Sequence, residues 1–192
     1  MNLAITPNQV TIFRIIVAPL IALCICVDSL TIAFVLFVLA GISDWYDGHL
    51  ARQTNSTSVF GRVFDSIADK LLVSGTLLAL VFTGRCGKEL IFPVLVIVLR
   101  EFFIAGLREY TLRVGESKPD IQDKTMATTN LARIKTTLQM VAIGMLIIPR
   151  TFMYPYLGIL GGLVLWAAAG ISVYTAWQYW KEVRASVKAG MA

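Results

Sequence analysis

Six apolar stretches separated by short polar breaks fill most of this 192-residue chain, and no other feature constrains its fold as strongly. They cover Val10–Val27, Leu30–Ser43, Val59–Thr83, Leu90–Leu107, Leu131–Ile148 and Tyr156–Tyr179. A helix that crosses a bilayer needs about 20 mostly apolar residues. The second stretch is short alone and is expected to continue as helix through Asp44–Arg52. The expected spans are therefore 10–27, 30–52, 59–83, 90–107, 131–148 and 156–179, in one membrane domain over residues 1–192. Composition agrees, with 57% hydrophobic residues, 15% charged and a mean hydropathy of +0.73. Soluble domains carry roughly 45–50% and about 25%, and disordered chains are poorer still in apolar residues. The expected fold class is all-α, a polytopic integral membrane protein with six transmembrane helices.

Six spans put both termini on one side. That side, with its helix ends, holds thirteen of the 17 Lys and Arg residues, and the other holds only Arg85, Lys88 and Arg150. Arg100 lies inside a span. Positive charge concentrates on the cytoplasmic face, so the termini and the long polar stretch Gly115–Asn130 are expected there. The net charge of +5 then reflects loop bias and attraction to anionic lipid, not a nucleic-acid partner. Cys24, Cys26 and Cys86 form no disulfide framework, and a zinc site built from them and the distant His49 is disfavoured. No basic region precedes the first stretch, so it is expected to be a retained helix rather than a signal peptide.

Ionisable residues inside such spans mark function by default. On a helix Asp44, Asp47, Gly48 and Ala51 share one face, and Gly61, Asp65 and Asp69 share another. A short cytoplasmic loop between the two helices would bring four carboxylates into a small volume, where they would repel. Divalent cations relieve that repulsion, and oxygen-only ligands favour Mg²⁺, Mn²⁺ or Ca²⁺ over zinc. Two such ions suit in-line displacement at phosphorus. Gly48, Ala51 and Gly61 leave room for a bulky group near the backbone. Taken singly, each Asp reads as a helix cap and each small residue as a packing contact; the joint pattern carries the inference.

Asp44-x-x-Asp47-Gly48-x-x-Ala51-Arg52, eight residues, then Gly61-x-x-x-Asp65-x-x-x-Asp69 resembles in full the motif of the CDP-alcohol phosphatidyltransferases. The likeness extends to family members that use glycerol 3-phosphate, through Pro7-Asn8-x-x-Thr11-x-x-Arg14, Arg100-Glu101 to Arg108-Glu109, and Lys135-Thr136-Thr137-x-Gln139-Met140. It covers roughly residues 7–140. Ser66 departs from it, standing where proline is frequent.

The resemblance implies transfer of the phosphatidyl group from CDP-diacylglycerol to sn-glycerol 3-phosphate, giving phosphatidylglycerol phosphate and CMP by direct attack. It implies that Asp44, Asp47, Asp65 and Asp69 hold two ions, Mg²⁺ or Mn²⁺. Asp69, the last carboxylate of the motif, is the expected general base. Asn8, Thr11, Asp44, Gly48, Ala51, Arg52 and Gly61 are the expected CDP-lipid contacts. Arg14 has two readings, a site residue or a snorkelling anchor at the interface. Arg108, Lys135 and Arg133 suit a dianionic acceptor, with lipid-headgroup contact the alternative, and Arg100 is expected to pair with an acidic partner. A homodimer in the bacterial inner (cytoplasmic) membrane is also implied, with Gly158-x-x-x-Gly162 a weak candidate for a dimer face. Trp166, Trp177, Tyr179 and Trp180 read as an aromatic belt. A relative using inositol phosphate or serine is the alternative. A prenyltransferase would release pyrophosphate and need more spans, and an ion channel would place carboxylates at mid-bilayer.

Overall fold

Helix α1 (Pro7–Cys26) shows how each segment of this chain is organised. Thr11, Arg14, Ala18, Ile21 and Ile25 recur every three or four residues and all are buried, so one stripe packs inward. Ile12, Ile16, Leu20 and Leu23 on the other side are exposed. The same design runs through α2 (Leu30–Thr54), α3 (Val59–Phe82), α4 (Ile91–Gly115), α5 (Asn130–Ile147) and α6 (Pro155–Gly190), with a 3₁₀ turn at Lys88–Leu90 before α4. This computed structural model describes residues 7–54, 59–115, 130–148 and 155–190, with side chains at 11–43, 64–111, 131, 134–148 and 156–185. Among the described residues all regular structure is helical and no strand occurs. The sequence-predicted loop between Gly115 and Asn130 lies outside them.

Outward faces are as apolar as inward ones. Phe92, Leu95, Leu99 and Phe102 form one exposed stripe on α4, and Ile159, Leu163, Trp166, Val173, Trp177 and Trp180 form another along α6. Helices apolar all round belong in a large core or a membrane. By length and composition, Lys88–Thr111 and Tyr156–Ala185 can each cross a bilayer, and Thr11–Cys26, Leu30–Ser43 and Ile134–Ile147 are shorter apolar helices. Two helices run past their apolar spans. Helix α4 reaches Gly115 and α6 reaches Gly190, because good helix formers continue the backbone pattern after hydropathy falls.

Helix α1 is the hub of one half of the bundle, packing on α3 and on α2, while α6 packs on α5 and α4. Helices α2 and α3 meet α5, where Phe37 and Met140 approach Gly144 and Gly41. The shared core includes Ile21, Ile25, Ala33, Leu77, Ile97, Ile143 and Leu165. Two turns at the end opposite the aspartates close in the left-handed region. Asp28 has φ +64°, and Gly84 has φ +67°; Ser29 N–H donates to Cys24 O at 2.8 Å, and Arg85 N–H donates to Leu80 O at 3.0 Å. Aspartate and glycine are among the residues that accept this conformation. Arg85 then pairs with Asp28, tying the two turns together.

All three cysteines are free. Cys86 is buried, and burial pushes its thiol up to about 11, so it is a packing residue with little thiolate at neutral pH. The candidate dimer glycine Gly162 faces its own chain, where a Cβ would stand 3.2 Å from Leu90 Cδ2. Trp166 stacks on Phe92, with ring centroids 5.7 Å apart, and Lys181 Nζ lies 3.5 Å above the Trp177 ring.

A Cβ at Gly161 would come within 3.1 Å of Met145 Cβ, whereas one at Gly170 meets nothing within 4 Å. Gly161→Leu is expected to cost about 1–3 kcal/mol through overpacking. Gly170→Leu should cost nothing measurable, and thermal unfolding of the detergent-solubilised protein compares the two.

Candidate active site

Arg14 continues the buried stripe of α1 into the end of the bundle that holds the aspartates. Its side chain is 0% exposed, and its guanidinium divides between two carboxylates, Nη2 to Asp65 and Nη1 to Asp69. Both aspartates come from α3, one helical turn apart, so they share a face as their spacing predicts. A guanidinium without partners in an apolar bundle costs several kcal/mol. The pairing therefore fixes both the register of α1 on α3 and the direction of the two carboxylates. Thr11, one turn earlier on α1, is also buried. Burial speaks against the anchor reading of Arg14, whose guanidinium turns inward to the α3 aspartates rather than out to an interface, and the signal lay in the spacing of Thr11, Arg14, Ala18, Ile21 and Ile25.

The remaining motif residues sit on the expected elements. Helix α2 is continuous through Asp44, Asp47, Gly48, Ala51 and Arg52, and α3 is continuous through Gly61, Asp65 and Asp69. The backbone thus carries both spacings as helical faces. Side chains of Asn8, Asp44, Asp47, Ala51, Arg52 and Arg133, and the surroundings of Gly48 and Gly61, lie outside the described residues. Helix α1 touches both motif helices, a link that a simple α2–α3 hairpin did not anticipate.

Asp65 and Asp69 fit a hard divalent ion. Their side chains are 45% and 47% exposed, so an ion can reach them, and they offer only oxygen. Each uses its Oδ1 on Arg14, and a carboxylate has two oxygens to give.

A second set of charges occupies α4 and α5, braced by polar groups of α6. Lys135 is 4% exposed and its ammonium pairs with Glu101. Arg100 Nη1 lies 3.4 Å from the same carboxylate. The Arg100 guanidinium also donates to Ser172 O at 3.1 Å and to Thr175 Oγ1 at 3.0 Å, which fastens α4 to α6. Gln139 Nε2 donates to Ser172 Oγ at 3.4 Å, bringing α5 to the same point. Arg108 is exposed and lies within electrostatic range of Lys135 and Arg100. Of the expected acceptor cations, Arg108 and Lys135 therefore share one region. The expected acidic partner of Arg100 is its neighbour Glu101. Local sequence carries no sign that Glu101 also holds Lys135, which lies 34 residues away on another helix.

Arg14→Met should lower stability by about 1–3 kcal/mol. The lost charge-assisted bonds set that range, and the half-exposed aspartates can rehydrate. Arg14→Lys should recover only part, since an ammonium cannot span both carboxylates as a planar fork does. Chemical unfolding of the purified protein without added metal measures both.

The sequence model of CDP-alcohol phosphatidyltransferase matches residues 4–174. A CDP-diacylglycerol–glycerol-3-phosphate 3-phosphatidyltransferase of Rickettsia felis is 37% identical over 182 residues, covering 93% of this chain and 94% of its own. A protein of the same name from Bacillus subtilis is 30% identical, covering 92% and 93%. The fold is similar to that of Mycobacterium tuberculosis phosphatidylinositol phosphate synthase in apo form, with a TM-score of 0.63, 18% identity, and coverage of 94% of this chain and 90% of that one. The same synthase has been solved with CDP-DAG bound and in complex with manganese and citrate, each matching with a TM-score of 0.61 and 17% identity, over 94% and 93% of this chain and 87% and 82% of that one. With its motif carried on two helical faces and its family model matched over most of its length, the chain belongs to the CDP-alcohol phosphatidyltransferase family.

Proposed function

We propose that this protein is a phosphatidyltransferase of phospholipid biosynthesis that makes phosphatidylglycerol phosphate and CMP from CDP-diacylglycerol and sn-glycerol 3-phosphate. The observation that carries the reading is the near full-length likeness to glycerol-3-phosphate phosphatidyltransferases at 30–38% identity. The cations Arg108 and Lys135, gathered near one another, favour an acceptor with a phosphate over an uncharged one.

The chain's own residues divide the work. The aspartate face of α3, with Asp44 and Asp47 of α2, holds two ions, Mg²⁺ or Mn²⁺. When bound, these ions neutralise the diphosphate and ease departure of CMP. Asn8, Thr11, Arg52 and the small residues Gly48, Ala51 and Gly61 receive the cytidine and its phosphates. Arg14 keeps Asp65 and Asp69 aligned. Asp69 accepts the proton of the acceptor hydroxyl as its oxygen attacks the phosphatidyl phosphorus, because an alcohol is a poor nucleophile at neutral pH. One P–O bond forms and the bond to CMP breaks, with no covalent enzyme intermediate. Arg108, Lys135 and Arg133 bind the acceptor phosphate.

Six spans cross the bacterial inner membrane, with both termini and the aspartates on the cytoplasmic side. The lopsided Lys and Arg distribution and the apolar outer stripes of α4 and α6 support that arrangement. A homodimer follows from the family resemblance.

Asp69→Asn is expected to lower turnover by about 10²–10⁴-fold, the usual worth of a general base, while CDP-diacylglycerol binding survives. Single-turnover assays alongside equilibrium binding separate the two effects. Given labelled CDP-diacylglycerol and a panel of acceptors, the purified protein should release CMP with glycerol 3-phosphate. Turnover with serine or inositol phosphate alone would assign another acceptor within the family.

A further inference from the structure

Lys70 follows the last motif aspartate, and its side chain turns back along α3. Its Nζ donates to Ser66 Oγ at 2.6 Å and to Ser66 O at 3.2 Å. An ammonium has three donors, and among the described residues the third has no recorded partner. Lys70 lies within electrostatic range of Asp69 on one side and of Glu101 and Arg108 on the other. It follows the aspartate face of α3, and α3 packs on both α4 and α5, which carry the cations.

Those cations outnumber the one carboxylate, Glu101, that they share. Glu101 attracts Lys135, Arg100 and Lys70, and Arg108 repels all three. Glu101 and Lys135 are largely dry, so water screens this repulsion poorly. Three cations, Lys135, Arg100 and Lys70, surround the Glu101 carboxylate with Arg108 close to each of them, which favours an incoming anion, and the half-buried ammonium nearest the aspartates is Lys70. Its tether also has a definite source. The Ser66 hydroxyl faces Lys70 one turn up the helix, and the pair holds the ammonium in one rotamer.

We propose that Lys70 is an acceptor-phosphate-binding residue, oriented by Ser66, which places the phosphate between the cation cluster and Asp69. The proposal rests on the reading of this protein as a transferase to a phosphorylated alcohol. It adds a cation from α3, the helix of the proposed base, to the cations on α4 and α5. A phosphate held there carries its own hydroxyl toward Asp69, so Lys70 links acceptor recognition to the site of proton removal.

Steady-state kinetics in mixed micelles test this, with each substrate varied separately for wild type, Lys70→Gln, Lys70→Arg and Ser66→Ala. Lys70→Gln should raise the KM for glycerol 3-phosphate about 10- to 100-fold, the worth of one charge-assisted contact. The KM for CDP-diacylglycerol should stay within about twofold. Lys70→Arg should recover much of the loss, because it keeps the charge. Ser66→Ala removes one hydroxyl and should raise the acceptor KM by a smaller factor without shifting the unfolding temperature. An unchanged acceptor KM in Lys70→Gln, or a rise confined to CDP-diacylglycerol, would overturn the proposal. Wild-type acceptor choice is read independently. Should the wild type use a different phosphorylated alcohol, that acceptor's KM decides in the same way. Ser66→Ala supplies the decision if Lys70→Gln fails to fold, an unchanged acceptor KM counting against the proposal.

Discussion

A guanidinium enclosed in an apolar bundle must be neutralised where it lies, and the contact of Arg14 with Asp65 and Asp69 meets that demand. Moving either helix by one residue would leave a buried charge or turn a carboxylate away, at a cost of several kcal/mol. The pairing therefore sets the register of α1 against α3. It also brings together two acidic groups that would otherwise repel, and keeps them half-exposed and aimed at one region. At the other end of the same pair of helices, Asp28 and Arg85 tie the outer turns. With the two ion pairs at opposite ends, α1 and α3 run in the same direction.

Those two pairs also bear on depth. From Arg14, α1 runs twelve residues to its end at Cys26, just before the Asp28 turn, a rise of about 18 Å against roughly 30 Å for the hydrocarbon of a bilayer. In the proposed membrane arrangement, an Asp28 turn at one surface would leave Arg14 and its aspartates short of the opposite surface. A substrate whose reactive phosphorus is anchored to two acyl chains would meet such a site without leaving the bilayer. The dry Arg100–Glu101–Lys135 group obeys the same rule, since its charges are paired and tied to Ser172 and Thr175 of α6.

Much of the fold was legible because hydropathy and helical spacing report directly on burial. The helix positions follow from the apolar stretches, and the aspartate faces follow from i, i+3 and i+4 intervals that α2 and α3 preserve. Arg14 stays open at the level of sequence because a long cationic side chain near a helix end satisfies either a headgroup or a carboxylate. Hydropathy cannot separate these outcomes, whereas the stripe of Thr11, Arg14, Ala18, Ile21 and Ile25 can. Glu101 and Lys70 were harder. Their partners are 34 and 4 residues away, and the first contact depends on how α4 and α5 pack, which a single sequence does not encode locally. Ser66 registers in the sequence only as a departure from the motif, yet its hydroxyl holds Lys70. Gly162 looked free for a partner helix, yet faces Leu90. In each case the tertiary neighbour, not the residue type, decided the role.

The central claim is that α2 and α3 contribute acidic groups to one shared ion site. Electron paramagnetic resonance titration of the purified protein with Mn²⁺ tests it most directly, comparing wild type with Asp44→Asn and Asp65→Asn, one from each helix. Tight Mn²⁺ binding in the wild type, lost or weakened at least about tenfold in both variants, is the predicted result. Binding that depends on Asp65 but is untouched by Asp44→Asn would mean that the two helices do not share the site, and would contradict the account.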